Sequence, residues 1–215
     1  MLLLSLDTSY SYQNFTLFDC KSLSPLLVYG EDRDRKSLEI FPKIFQDLGI
    51  NLKEINIFAV NVGPGYSTSL RVGVAMFKTY AQISGKPLIP YSAYEVFAQL
   101  TPSEGRYLGI LKVSRYWIYS LFEKTSEGFK ELIKPSVLDD KAIENLQTER
   151  LVLVIPLPFS REFQPLKEKL NIEKQIVLPF RTLSEVGAKV AYRKYLEGKK
   201  TDLFSVEPIY FRPAV

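Results

Sequence analysis

The apolar run Leu2 to Leu6 ends in Asp7, Thr8 and Ser9. An acidic side chain at the end of a strand can hold Mg²⁺ or its water, and neighbouring hydroxyls can approach phosphate. The same residue types also make tight turns, because each hydrogen-bonds nearby backbone. A phosphate loop would use glycine here so that backbone could close on the anion. No glycine lies between Asp7 and Phe18, which favours the turn.

A second candidate is Gly63-Pro64-Gly65-Tyr66-Ser67-Thr68-Ser69-Leu70-Arg71. It joins an apolar strand to a helix, where free N–H groups and the helix dipole favour an anion. It is not a Walker A loop, since no Gly-Lys-Ser/Thr ends it. A plain turn with a helix cap explains it equally well. The residues that would form a vestigial anion loop are Asp7, Thr8, Gly63, Gly65, Thr68 and Arg71.

Composition removes several classes of chemistry. The 215 residues include no histidine, which rules out imidazole-based metal sites and Ser–His or Cys–His catalysis. The single cysteine, Cys20, cannot form an internal disulfide and fits a reducing compartment. The second half holds Gly105, Gly109, Gly128, Gly187 and Gly198 but no Gly-Gly pair for gripping a nucleotide. We therefore expect no catalytic residue, metal or cofactor. A net charge of +4 is too small to demonstrate nucleic-acid binding. Lys189, Arg193, Lys194, Lys199 and Lys200 form a basic stretch that a solvated helix face explains as well. The N-terminus lacks the basic flank of a signal peptide, and no stretch reaches the roughly 20 apolar residues of a membrane span. The expected location is cytoplasmic.

The elements that position these residues repeat. Strands are expected over 2–6, 14–18 and 26–29, a helix over 37–48, a strand over 57–62, a helix over 68–84, a strand over 88–91 and a helix from the capping box at Ser92. The second half gives strands over 107–113, 117–123 and 130–133, a helix over 140–147 and a strand over 151–155. A helix over 161–170, a strand over 175–178 and a helix from the capping box at Thr182 to Glu197 complete it. Each half reads βββαβαβα. The expected fold is α/β, two tandem ribonuclease-H-like lobes of the actin, sugar kinase and Hsp70 ATPase type, divided as 1–104 and 105–215, with a single larger α/β domain without duplication as the alternative.

The helix over 68–84 is apolar around most of its circumference, with Leu70, Val72, Val74, Ala75, Met76, Phe77, Tyr80, Ala81 and Ile83. Such a helix needs burial on more than one side. One face can cover its own sheet, and the other, with the helix over 37–48, can meet a protein partner. Packing of both faces within the lobe is the alternative.

Several segments resemble the TsaB family in register along nearly the whole chain. Gly63 to Arg71 resembles its G-P-G-S-F-T-G-[LV]-R signature, and Ser37-Leu38-Glu39-Ile40-Phe41-Pro42 its S-E-x-L-L-P helix. Gly85-Lys86-Pro87-Leu88 to Ser92 is similar to G-[IK]-P-L-x-x-x-S, and Val206 to Pro213 to the E-P-x-Y-[LF]-R-P tail. Departures are Tyr66, Ser67 and Ser69 in the loop, and Lys112 to Tyr119 in place of a D-A-R-x-G-E-V-Y hairpin.

The resemblance implies a non-catalytic scaffold subunit that pairs with TsaD, which transfers threonylcarbamoyl to adenosine of tRNA. A TsaE-like ATPase would join the pair, tRNA would be reached through the complex, and a homodimer could use the same surface. That contact would be formed by Leu38, Phe41, Phe45, Leu70, Val74, Phe77, Lys78 and Ala81. The rival is a stand-alone small ATPase or kinase of the same fold, using Asp7 and the Gly63 loop.

Overall fold

The computed structural model describes residues 1–32, 41–179, 183–199 and 201–211. These form two compact units, Met1–Ala93 with Arg181–Tyr210, and Tyr94–Phe180 with Phe211–Val215.

The sheet of the first unit contains β1 (Leu2–Asp7), β2 (Tyr12–Asp19), β3 (Ser24–Asp32), β4 (Ile55–Asn61) and β5 (Leu88–Tyr91) in the order β3-β2-β1-β4-β5. β1 is antiparallel to β2 and parallel to β4, which is parallel to β5. β1 and β4 are buried along nearly their whole length, as central strands covered on both faces must be. One sheet face carries Leu4, Leu6, Phe15, Phe58 and Val60. These pack with α1 (Phe41–Asp47) and α2 (Ser67–Ser84) through Phe41, Phe45, Val74, Phe77 and Ala81.

The sheet of the second unit contains β6 (Gly105–Val113), β7 (Tyr116–Thr125), β8 (Gly128–Val137), β9 (Leu151–Pro156) and β10 (Ile172–Leu178). Its order, β8-β7-β6-β9-β10, and its strand directions repeat those of the first. The fold is a duplicated α/β fold, as the repeated element order implies. Its core joins Leu108, Ile110, Leu153 and Ile155 to α4 (Asp140–Leu146) through Ala142, Ile143 and Leu146.

The compact units do not divide at 104/105, because the closing helix of each half leaves its own sheet. α7 (Leu183–Leu196) follows β10 in sequence but packs on β1, β2, β4 and β5. The Asn14 side-chain oxygen accepts the Ser184 amide at 2.8 Å, and the Thr16 and Ser184 hydroxyls are 2.8 Å apart. α3 (Ala93–Leu100) follows β5, yet the Tyr94 hydroxyl donates to the Ile118 carbonyl on β7 at 3.0 Å. The helix expected over 161–170 is instead two short turns, α5 (Leu157–Ser160) and α6 (Gln164–Lys167). Each has a proline in its first two positions, where its missing N–H is harmless, and Pro165 would interrupt a continuous helix. The capping box expected at Thr182 lies outside the described residues. Among the described residues no helix is long and apolar enough to cross a membrane.

Candidate functional site

The Asp7 turn and the Gly63 loop form one interlocked structure in the first unit. Both are laid at the ends of neighbouring parallel strands, β1 and β4. One Asp7 carboxylate oxygen accepts the Ser9 amide at 2.9 Å and the Ser9 hydroxyl at 2.6 Å. The other accepts the Asn61 side-chain amide at 2.8 Å, and the Asn61 side-chain oxygen accepts the Gly63 amide at 2.8 Å. Asp7 thus ties its own turn to β4 and to the start of the loop. Burial pushes its carboxyl above the ordinary aspartate range, against the hydrogen bonds from Ser9 and Asn61 that pull it down. The buried Tyr91 hydroxyl donates to the Leu6 carbonyl and accepts from Ser5. Burial, then the nearby Asp7, raises it well above the usual phenol value.

The glycines of the loop serve close packing. A Cβ on Gly65 would overlap the Ser9 carbonyl oxygen, and the Tyr66 amide donates to that same oxygen at 2.7 Å. A Cβ on Gly73, two turns into α2, would overlap the Thr8 hydroxyl, which donates to the Ser69 carbonyl at 2.9 Å. The Thr8 and Ser9 hydroxyls are thereby occupied within the protein. Arg71 is exposed, donates to the Tyr210 hydroxyl at 3.1 Å and stacks over that ring at 4.9 Å. Thr68 is exposed on the first turn of α2. Of the candidate anion-loop residues, Asp7, Thr8, Gly63 and Gly65 come together and are buried. Among the described residues no group of three or more His, Cys, Asp or Glu is placed to hold a metal.

Six of the eight expected partner-contact residues are not at the surface of the protein. Phe41, Phe45, Leu70, Val74, Phe77 and Ala81 are all buried in the protein. The largest apolar side chains of α1 and α2 are the ones that fill the space above the sheet, because burying them removes the most apolar surface from water. Leu38 lies outside the described residues. Lys78 is half-buried and donates to the carbonyls of Phe204 at 3.3 Å and Val206 at 3.0 Å.

α2 keeps a second apolar face all the same. Thr68, Val72, Ala75, Thr79 and Ile83, spaced by three and four residues, form an exposed ridge. Val72 is 41% exposed and Ile83 81%. The half-buried Met76 and Tyr80 flank the ridge on the side of α1, where Tyr80 meets Phe45 at 6.5 Å between ring centres. Helical periodicity separates these two faces in the sequence but does not say which one is turned inward.

The basic stretch near the C-terminus is largely paired. Lys189 meets Glu185, Arg193 and Lys199 both meet Glu197, and Lys194 donates to the Pro90 carbonyl. Lys200 lies outside the described residues.

A polyphosphate/ATP-glucomannokinase of Arthrobacter shares the fold over 92% of this chain and 99% of its own, with a TM-score of 0.50 at 11% identity. The family model described as TsaD, tRNA N6-adenosine threonylcarbamoyltransferase, matches residues 34–106, the stretch that contains α1 and α2. A threonylcarbamoyltransferase of Thermofilum pendens is 35% identical over 61 residues, 28% of this chain and 18% of the relative. One of Campylobacter jejuni is 28% identical over 186 residues, 72% of this chain and 54% of the relative. The chain therefore spans about half the length of that relative and less of the other.

Solved structures match along the full length. A crystal structure of a Pseudomonas aeruginosa protein similar to peptidase YeaZ covers 98% of this chain and 99% of its own, with a TM-score of 0.74 at 14% identity. YeaZ from Pseudomonas aeruginosa covers 98% and 100%, with a TM-score of 0.71 at 15% identity. This full-length likeness is one of fold, and the transferase family model matches residues 34–106.

Proposed function

We propose that this chain is a non-catalytic, TsaB-type subunit that supports a TsaD-like threonylcarbamoyltransferase in modifying adenosine of tRNA. The observation that carries the proposal is the exposed apolar ridge of α2, which lies within the stretch matched by the transferase family model. Full-length likeness to YeaZ supports the same reading at the level of the fold. The ridge, with Val72, Ala75, Thr79 and Ile83, is the surface we assign to the catalytic partner, in place of the buried residues first expected. A TsaE-like ATPase would join the assembled pair, and a second copy of the chain would compete for the same ridge.

The interlocked loops support a scaffold over a stand-alone ATPase. Asp7 is spent on Ser9 and Asn61, and the Gly65 backbone lies against Ser9 rather than facing an open anion site.

Reconstitution tests the proposal. Threonylcarbamoyl transfer to tRNA by the purified transferase with its ATPase is expected to rise at least tenfold on adding this chain. An unchanged rate would contradict the subunit reading, and Mg-ATP turnover by the isolated chain would favour the kinase-like alternative.

A further inference from the structure

The described C-terminal residues form a strap along one flank of α2. Arg71 and Lys78 are seven residues apart and share that flank. Lys78 holds the carbonyls of Phe204 and Val206, and Arg71 holds the Tyr210 hydroxyl, so the strap runs antiparallel to the helix. Leu203 and Val206 pack into the core of the first unit, and the Ile209 amide donates to the Val62 carbonyl at 2.7 Å. Between these anchors Phe204 turns outward and is 72% exposed. A large aromatic ring left in water on an anchored backbone contributes little to the folded chain.

The size of the ridge gives the ring a use. An α-helix of 18 residues is about 27 Å long and about 10 Å across, so one face offers a few hundred Å². A stable interface needs roughly 800 Å² on each side. A partner seated on α2 must therefore reach over its flanks. One flank is α1, with Leu48 exposed beyond its end, and the other is the strap. The transferase family model matches α1 and α2, so the catalytic subunit carries a counterpart of this helix pair. Two like helix pairs can meet about an approximate twofold axis, which sets flank against flank.

We propose that the strap is part of the docking surface and that Phe204 is an aromatic anchor for the same threonylcarbamoyltransferase subunit. This rests on the function proposed above and adds a second, sequence-distant segment to its interface. Lys78 is a positioning residue that fixes the strap against α2.

Titration calorimetry of the intact chain with the purified transferase subunit tests it. Phe204→Ala is expected to weaken binding about tenfold or more, while the melting temperature of the isolated chain stays unchanged, because the ring is exposed. Phe204→Asp, which is equally harmless to the fold, is expected to weaken binding further. Affinity within twofold of wild type for both variants, while Val72→Asp abolishes binding, would overturn the strap proposal and leave the subunit reading intact. Absence of binding by the wild-type chain would overturn both.

Discussion

Gly65 lies so close to Ser9 that any side chain at position 65 would meet the Ser9 carbonyl oxygen, and that oxygen already accepts the amide of Tyr66. The relationship couples two loops that are more than fifty residues apart and explains why the glycine is required without invoking a ligand. Gly65→Ala must push the loops apart, at a cost of about 1–3 kcal/mol. Thermal unfolding is expected to show a melting temperature lower by several degrees. An unchanged transition would mean that the loops are not interlocked.

Replacement of α2 residues distinguishes its two faces. Phe77 is fully buried in the first unit, so Phe77→Ala should cost about 3–5 kcal/mol. Val72→Asp, on the exposed ridge, should stay within about 0.5 kcal/mol of wild type. Urea denaturation of both variants measures this. Equal losses would show that α2 is buried on both sides.

Asp7 makes stability depend on pH in a particular direction. Burial holds its folded-state pKa above the ordinary value of 3.8, so the folded protein binds the proton more tightly than the unfolded chain. As pH rises past 3.8 the unfolded chain loses its proton first, and stability falls until the folded group titrates as well. Above that window the penalty is constant. Asp7→Asn removes the titration, so its stability relative to wild type should improve as pH rises through the window. Denaturation of both proteins at matched pH values checks this, and a difference independent of pH would contradict the direction.

The exchange of closing helices makes α7 a structural part of the first unit. Asn14 accepts the Ser184 amide at the start of that helix, so Asn14→Ala leaves a buried donor without its acceptor. The expected loss is about 1–3 kcal/mol, read from chemical denaturation. No loss would mean that the helix is held by its apolar face alone.

Much of this fold was legible in the chain. Alternation and apolar runs marked every strand, and the order βββαβαβα appeared twice. The home of each closing helix was not legible, because an amphipathic helix such as α7 fits any apolar sheet face and its sequence does not name one. Asn14 and Thr16, which hold it, read only as polar residues in a strand. The candidate site was half legible. Asp7, Thr8, Gly63 and Gly65 were singled out, but Asn61, the bridge between them, resembled any other strand residue. On α2 the spacing disclosed two apolar faces, and the larger side chains, Leu70 and Phe77, turned out to belong inside. The strap is not legible in the sequence, because Lys78 and Phe204 are 126 residues apart.

The central claim is that the outer ridge of α2 seats the catalytic subunit. Its most direct measurement is the affinity of the purified threonylcarbamoyltransferase for wild-type chain and for Val72→Asp and Ala75→Asp, by titration calorimetry. A charge forced into an apolar contact without a partner should abolish measurable binding while each variant stays folded. Wild-type affinity in both variants would contradict the claim.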